Sequence, residues 1–466
     1  KINPHILEAY ENIASIFMDQ HNNQGALPYL AEVLNRGKEN WSLWRSFGEC
    51  LVTTSFSEFN PAISILIEKL LDQKTVIRPS SLNRSICSLL LKQSSIKRIA
   101  ESDFSQEVLD DLGACGVLIA ALKVMPLANK DLEQALTGLR KFLLLSRGTY
   151  TVTNEVEMLA EALAINCFVN EYVFAVSDEE TVVIDDLEQN RDKPLNVALL
   201  ACYQPLSKFA WAHALNKYDN LVKAQVRDLE TETKLKQSIP LVGVIDDGIS
   251  EKVRSQYEES PYPRWTHTAL SNLPRTFNEI AHKAELNPVY ENNSCSSTPQ
   301  ILVAGSGTGQ HPLGTASRFK NATVTAIDLS LASLAFAKRV TQEYGISNIN
   351  YNHCDLLNVG LLGKKFDIIE SMGVLHHMES PLKGWQALVD CLKPGGLMNI
   401  GLYSELARKH IVESRKIIKE LGLDPTADNI RKFRQMVFND ELAGVELLKQ
   451  SPDFYSMSNA RDLVFH

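Results

Sequence analysis

The sequence predicts an α/β chain in which an all-α region precedes a doubly wound parallel sheet. Three observations carry that expectation. Residues 1 to 240 show helical periodicity almost throughout. From Gln300 onward, short apolar runs alternate with amphipathic stretches. Between the two lies NPVYENNSCSSTPQ, a stretch rich in Asn, Ser and Pro with no period of its own. At 466 residues the chain is long enough for two or three separate cores. We divide it into a helical domain over 1–240, a connecting or lid segment over 241–299, and a sheet domain over 300–466.

The helical region opens with AYENIASIFMDQHNNQGALPYLAEVL, Ala9–Leu34. Its small residues Ala14 and Ala26 recur as Gly48, 34 residues after the first, and Ala62, 36 residues after the second. Small residues at that period, placed where two helices cross closely, resemble tetratricopeptide repeats, with two generic helical hairpins as the alternative. Further on, Leu132, Leu136, Leu139 and Leu143 are spaced for one face of a helix. Glu155–Ala175 is apolar on two sides and reads as a buried central helix, and Pro194 and Pro205 bracket another over Leu195–Tyr203.

The composition, 44% hydrophobic and 22% charged, carries neither the signature of disorder nor that of a membrane protein. A net charge of −9 disfavours a nucleic-acid surface, which needs clustered Lys and Arg. The eight cysteines are scattered without a C-x-x-C pair, which points to a reducing, cytoplasmic setting and to no metal site. Oligomeric state is left open.

In the sheet domain the expected strands are Ile301–Ala304, Thr323–Asp328, Asn348–His353, Phe366–Ser371 and Leu397–Tyr403. Helices fill the gaps over 310–320, 331–345, 381–392 and 404–421. Such βα units imply right-handed crossovers and a ligand site beyond the carboxyl ends of the strands. LVAGSGTGQH, Leu302–His311, follows the first strand. A dinucleotide loop reads G-x-G-x-x-G, but here the third glycine comes one residue early and position 310 is Gln, which disfavours a pyrophosphate. Asp328 ends the second strand, where it can accept from both ribose hydroxyls, and Asp355 follows the third, where it can accept from an adenine amino group.

With Gly305, Gly307 and Gly309, Asp328, HCDLL, the VLHH segment and the LKPGG turn at Leu392–Gly396 in this order, the sequence resembles class I S-adenosylmethionine-dependent methyltransferases, Rossmann-like enzymes. The helices, YEESPYPRW at Tyr257–Trp265 and the closing DFYSMSNARDLVFH extend the resemblance to bacterial tetratricopeptide-containing methyltransferases. The family expects seven strands. Only five are visible and RDLVFH reads as the run-up to a sixth, so the sheet domain is expected to be truncated at its C-terminus.

The resemblance implies S-adenosyl-L-methionine as cofactor. Gly305, Ser306, Gly307, Thr308 and Gly309 would let backbone approach its methionine and ribose portions. Asp328 with Leu329 would hold the ribose, and Asp355 with Leu356 would frame the adenine. Glu370, Ser371 and Met372 would lie beside the transferable methyl, while Tyr262 and Arg264 would close over the cofactor, Arg264 pairing with its carboxylate. His376 and His377 are the candidate general bases, with Tyr403 at the same edge. The alternative is that the histidines line the pocket without taking a proton.

Three functions follow. The first is a methyltransferase whose helices recruit a protein or peptide acceptor. The second keeps the enzyme but gives it a small-molecule acceptor, with the helices as lid or dimer interface. The third is a non-catalytic scaffold. A nicotinamide-dependent oxidoreductase is disfavoured by the glycine spacing. No apolar run approaches the length of a membrane span.

Overall fold

The computed structural model describes residues 7–244, 264–283, 285 and 297–465. Tyr262 and most of the YEESPYPRW segment lie outside the described residues, as does Cys295. The chain forms two compact units, one of residues 1–226, 265–269 and 409–466, the other of residues 227–264 and 270–408.

The first unit is helical. Of its opening helices, Leu7–Asp19, Asn23–Asn35, Trp41–Thr53 and Pro61–Leu71, the first packs on the second and the second on the third. The sequence sets three of their starts, because Asn22, Asn40 and Asn60 each accept the backbone N–H three residues on. Ala14, Ala26 and Gly48 are buried, and a Cβ on Gly48 would lie 2.8 Å from Ile77 Cδ1. Ala62, the fourth small position, is exposed, so the spacing marks no helix crossing there. Leu132, Leu136, Leu139 and Leu143 form the buried face of Lys130–Leu145. The predicted central helix spans Asn154–Val169 and is buried along most of its length.

The last part of the chain belongs to this unit, although the sequence boundary assigns it to the sheet domain. Arg434, on the helix Ala427–Phe438, is 1% exposed at its side chain. It donates to Glu133 Oε2 at 2.6 Å, to the Phe454 carbonyl at 2.7 Å and to the Val173 carbonyl at 3.0 Å. Arg461–Phe465 is a helical turn rather than the approach to a strand, with Leu463 and Val464 buried.

The second unit is built on a parallel sheet of six strands: β1 (Leu241–Val242), β2 (Gln300–Ala304), β3 (Thr323–Asp328), β4 (Ile349–Cys354), β5 (Phe366–Met372) and β6 (Leu392–Gly401). Their order is β1-β4-β3-β2-β5-β6. The near-continuous burial of β2, β3 and β5 is that of strands covered on both faces. Leu241–Val242 adds an edge strand by pairing with His353 and Cys354. The LKPGG turn is absorbed into β6. Leu392 pairs with Phe366 and Leu397 with Ile368, so the residues between them bulge.

This unit begins before the expected boundary at 240. Helix Asp228–Lys236 packs on Leu331–Glu343, where Arg339 reaches Glu232 at 2.9 Å and Asp228 at 3.4 Å. The strand order reverses between β2 and β5, the neighbours from which the chain winds in opposite directions. That is the crevice in which open α/β sheets bind ligands.

Candidate functional site at the β2–β5 switch point

The site starts with the loop after β2. Gly305, Gly307 and Gly309 have φ of 76°, 49° and 94°, a left-handed region that disfavours residues with a Cβ. Space demands glycine as well as conformation does. A Cβ on Gly305 would lie 2.1 Å from Val374 Cγ2, and one on Gly309 would lie 2.6 Å from Ala337 Cβ. The Gly305 contact shows that the loops following β2 and β5 face each other across the switch point.

Asp328, at the end of β3, organises this loop. Its Oδ2 accepts from Gly307 N at 2.7 Å and its Oδ1 from Ser330 N at 2.9 Å. Gly305 N and Ser306 N both donate to the Ile327 carbonyl at 2.9 Å. Leu329 beside Asp328 is held by the His353 ring, which meets its carbonyl at 2.9 Å.

Asp355 is buried and accepts from Leu357 N at 2.9 Å, starting the turn Leu356–Leu362. Its second oxygen takes no hydrogen bond among the described residues. Leu356 is part of the apolar core beneath. Ser306 and Ser371 are buried with hydroxyls that find no partner among the described residues, and Thr308 between the glycines is buried too.

Beyond β5, Gly373 at φ 73° turns the chain into the helical turn Leu375–His377. The ring of His376 lies 3.8 Å from that of Tyr403 and 4.3 Å from that of His377, centroid to centroid. The Arg408 guanidinium sits 3.5 Å over the Tyr403 ring. Met372 and Tyr403 are each about half exposed. The three candidate catalytic side chains therefore form one cluster at the carboxyl ends of β5 and β6.

Glu370 is placed differently from the expectation. It sits beside Val303 in the sheet, with its side chain buried on the face of helix Gln310–Arg318. Three residues one stripe apart on that helix converge on its carboxylate. His311 Nε2 lies at 3.0 Å, Thr315 Oγ1 at 2.5 Å and Arg318 Nη2 at 2.8 Å. Burial pushes the carboxyl up, but the hydrogen bond and charge of His311, the Thr315 hydroxyl and the Arg318 charge together hold it below the ordinary range. With its oxygens so occupied, Glu370 anchors the helix that follows the glycine loop.

Stability from this carboxylate is present above its ordinary value of 4.5 and is lost as pH falls through its lowered one. Glu370→Gln is expected to destabilise the sheet unit by about 1–3 kcal/mol at pH 7. In urea unfolding the gap to the parent should narrow at pH 3, and a gap independent of pH would contradict the assignment.

Burial pushes the Glu232 carboxyl up, and the charges of Arg339, which holds it at 2.9 Å, and of Arg264 oppose that.

The methyltransferase domain profile matches residues 301–396, from β2 into β6. Residues 301–396 are a methyltransferase domain. An uncharacterized protein of Synechococcus sp. is 33% identical over 171 residues, 36% of this chain and 41% of that protein, so the chain spans about two fifths of this relative's length. The ubiquinone biosynthesis O-methyltransferase of Paracidovorax citrulli is 27% identical over 186 residues, 36% of this chain and 75% of that enzyme. A solved methyltransferase of Geobacter sulfurreducens with S-adenosylhomocysteine is 19% identical, covering 38% of this chain and 82% of its own, at a TM-score of 0.23.

The groups at the switch point of the methyltransferase domain fit S-adenosyl-L-methionine. The acid that ties down the glycine loop, Asp328, suits ribose hydroxyls by its chemistry, the open oxygen of Asp355 suits an exocyclic amine, and the glycine cradle admits backbone-close contact. Sequence reasoning missed His311, Thr315 and Arg318. Their spacing of four and three residues was visible; the buried carboxylate they share was not.

Proposed function

We propose that the chain is an S-adenosyl-L-methionine-dependent methyltransferase. The observation that carries this reading is the glycine loop tied to Asp328 at the switch point, within the residues that match the methyltransferase domain. The cofactor supplies a methyl group on a sulfonium, and the protein's task is to bind, orient and exclude water. Gly305, Ser306, Gly307, Thr308 and Gly309 cradle it, Asp328 with Leu329 takes the ribose, and Asp355 with Leu356 takes the adenine edge. Ser371 and Met372 border the transfer position, and His376, His377 and Tyr403 face the acceptor. One of the two histidines takes the acceptor's proton.

S-adenosylhomocysteine is expected to raise the melting temperature, whereas NAD should not. No shift with the former would overturn the reading. In Asp328→Ala the affinity should fall about ten- to hundredfold, as two charge-assisted hydrogen bonds to the ribose are lost. An unchanged affinity would remove the ribose from Asp328.

For the acceptor, we propose a protein or peptide recruited by the helical unit, whose helices offer the extended surfaces suited to chain binding. A second reading, a small planar acceptor, is favoured by the cluster of His376, Tyr403 and Arg408 beside exposed Met372. Labelled cofactor added to a cell lysate separates them by whether label enters protein or small molecules. The seven cysteines among the described residues are free, which supports a reducing, cytoplasmic setting. No described helix is long and apolar enough to cross a membrane.

A further inference from the structure

We propose that His311, oriented by Glu370, binds the amino-acid end of the cofactor. The inference rests on the reading of the site as one for S-adenosyl-L-methionine. His311 is the second residue of the helix Gln310–Arg318, immediately after the glycine loop, so it stands at the ligand-bearing edge of the sheet. Its ring is partly exposed, whereas the carboxylate that holds it is buried.

The chemistry of the pair determines what the ring can offer. Glu370 is an anion that accepts from Thr315 and Arg318, so the hydrogen between it and His311 is carried on Nε2. Nδ1 is then the nitrogen that can meet a ligand. It takes no hydrogen bond among the described residues. A buried carboxylate on one ring nitrogen, with the other left open, is how proteins orient an imidazole for a ligand. In the neutral ring Nδ1 accepts, which suits the ammonium of an amino acid, and in the charged ring it donates, which suits the carboxylate.

Topology says which end of the ligand lies here. Along the strand ends run Asp355 after β4, Asp328 after β3, the glycine loop after β2, and then β5, which carries Glu370. If Asp355 takes adenine and Asp328 takes ribose, the remaining direction leads toward β5. Three strand spacings make about 14 Å, of the order of an extended nucleoside bearing an amino-acid tail. His311 therefore lies at the tail end and Asp355 at the base end.

The test compares S-adenosylhomocysteine with 5′-methylthioadenosine, which keeps the nucleoside and sulfur but lacks the amino acid. Titration calorimetry on the full chain is the readout. His311→Ala should weaken S-adenosylhomocysteine about ten- to hundredfold and leave 5′-methylthioadenosine within about threefold. The retained nucleoside affinity also reports that the variant is folded. Glu370→Gln should show the same selective loss in smaller measure. Equal weakening of both ligands by His311→Ala, or of neither, would overturn the proposal, because a structural role moves both together. If the parent chain binds neither ligand, it is the methyltransferase reading that fails.

Discussion

Gly305→Ala is expected to abolish cofactor binding and to destabilise the sheet unit by about 2–5 kcal/mol. Two costs add. An alanine must adopt the left-handed backbone at φ 76°, and its Cβ would lie 2.1 Å from Val374 Cγ2. Rotating Val374 gives no escape, because its Cγ1 and Cβ stand at 3.1 and 3.2 Å from the same point. The loops after β2 and β5 must therefore separate, and they form the two walls of the site. The double variant Gly305→Ala/Val374→Ala removes the overlap but keeps the backbone strain, so part of the stability should return. Thermal unfolding with and without S-adenosylhomocysteine reads both effects. A Gly305→Ala protein that binds normally would show that the two loops do not face each other as described.

Arg434→Met is expected to cost the helical unit about 3–5 kcal/mol, because it leaves Glu133 buried without its partner. The guanidinium satisfies one carboxylate and two carbonyls in the interior, from Glu133, Val173 and Phe454. Burial alone pushes the Glu133 carboxyl up, and Arg434 is the nearest charge opposing that. The double variant Glu133→Gln/Arg434→Met, which removes both charges, should recover much of the loss. Calorimetry should show the change in the transition of the helical unit, with S-adenosylhomocysteine binding by the sheet unit retained. A loss under 1 kcal/mol would mean that the residues after 408 contribute little to the fold of that unit.

Several elements were legible in the chain because their causes are local. Asn22, Asn40, Asn60 and Asn129 start helices by accepting an N–H three residues on, a pattern contained in a few residues. The leucines of Lys130–Leu145 fall on one face because 3.6 residues make a turn. Strands β2 to β5 and the helices between them stand close to their predicted limits for the same reason.

Other features follow from partners far away in sequence. Glu370 was expected to face the acceptor because it lies near the end of a strand. Alternation puts it on the face of Ile368, but which helix covers that face is decided by the crossover from β2. Two residues, Leu241 and Val242, have no strand signal of their own and become a strand only because β4 offers an edge. RDLVF has the composition of a strand, yet Arg461–Phe465 is a helical turn whose Leu463 and Val464 join the helical core.

By itself, then, the sequence determined the α/β class, the glycine loop with its two following acids, and a nucleoside as the kind of ligand. Each rests on spacing within a few residues, which backbone geometry converts directly into shape. Tertiary structure alone decided that residues 409–466 belong with the helices, that Glu370 holds a helix, and that His311 pairs with Glu370. Those outcomes depend on which buried charge finds which partner, and across 301 residues, from Glu133 to Arg434, no local pattern encodes the pairing.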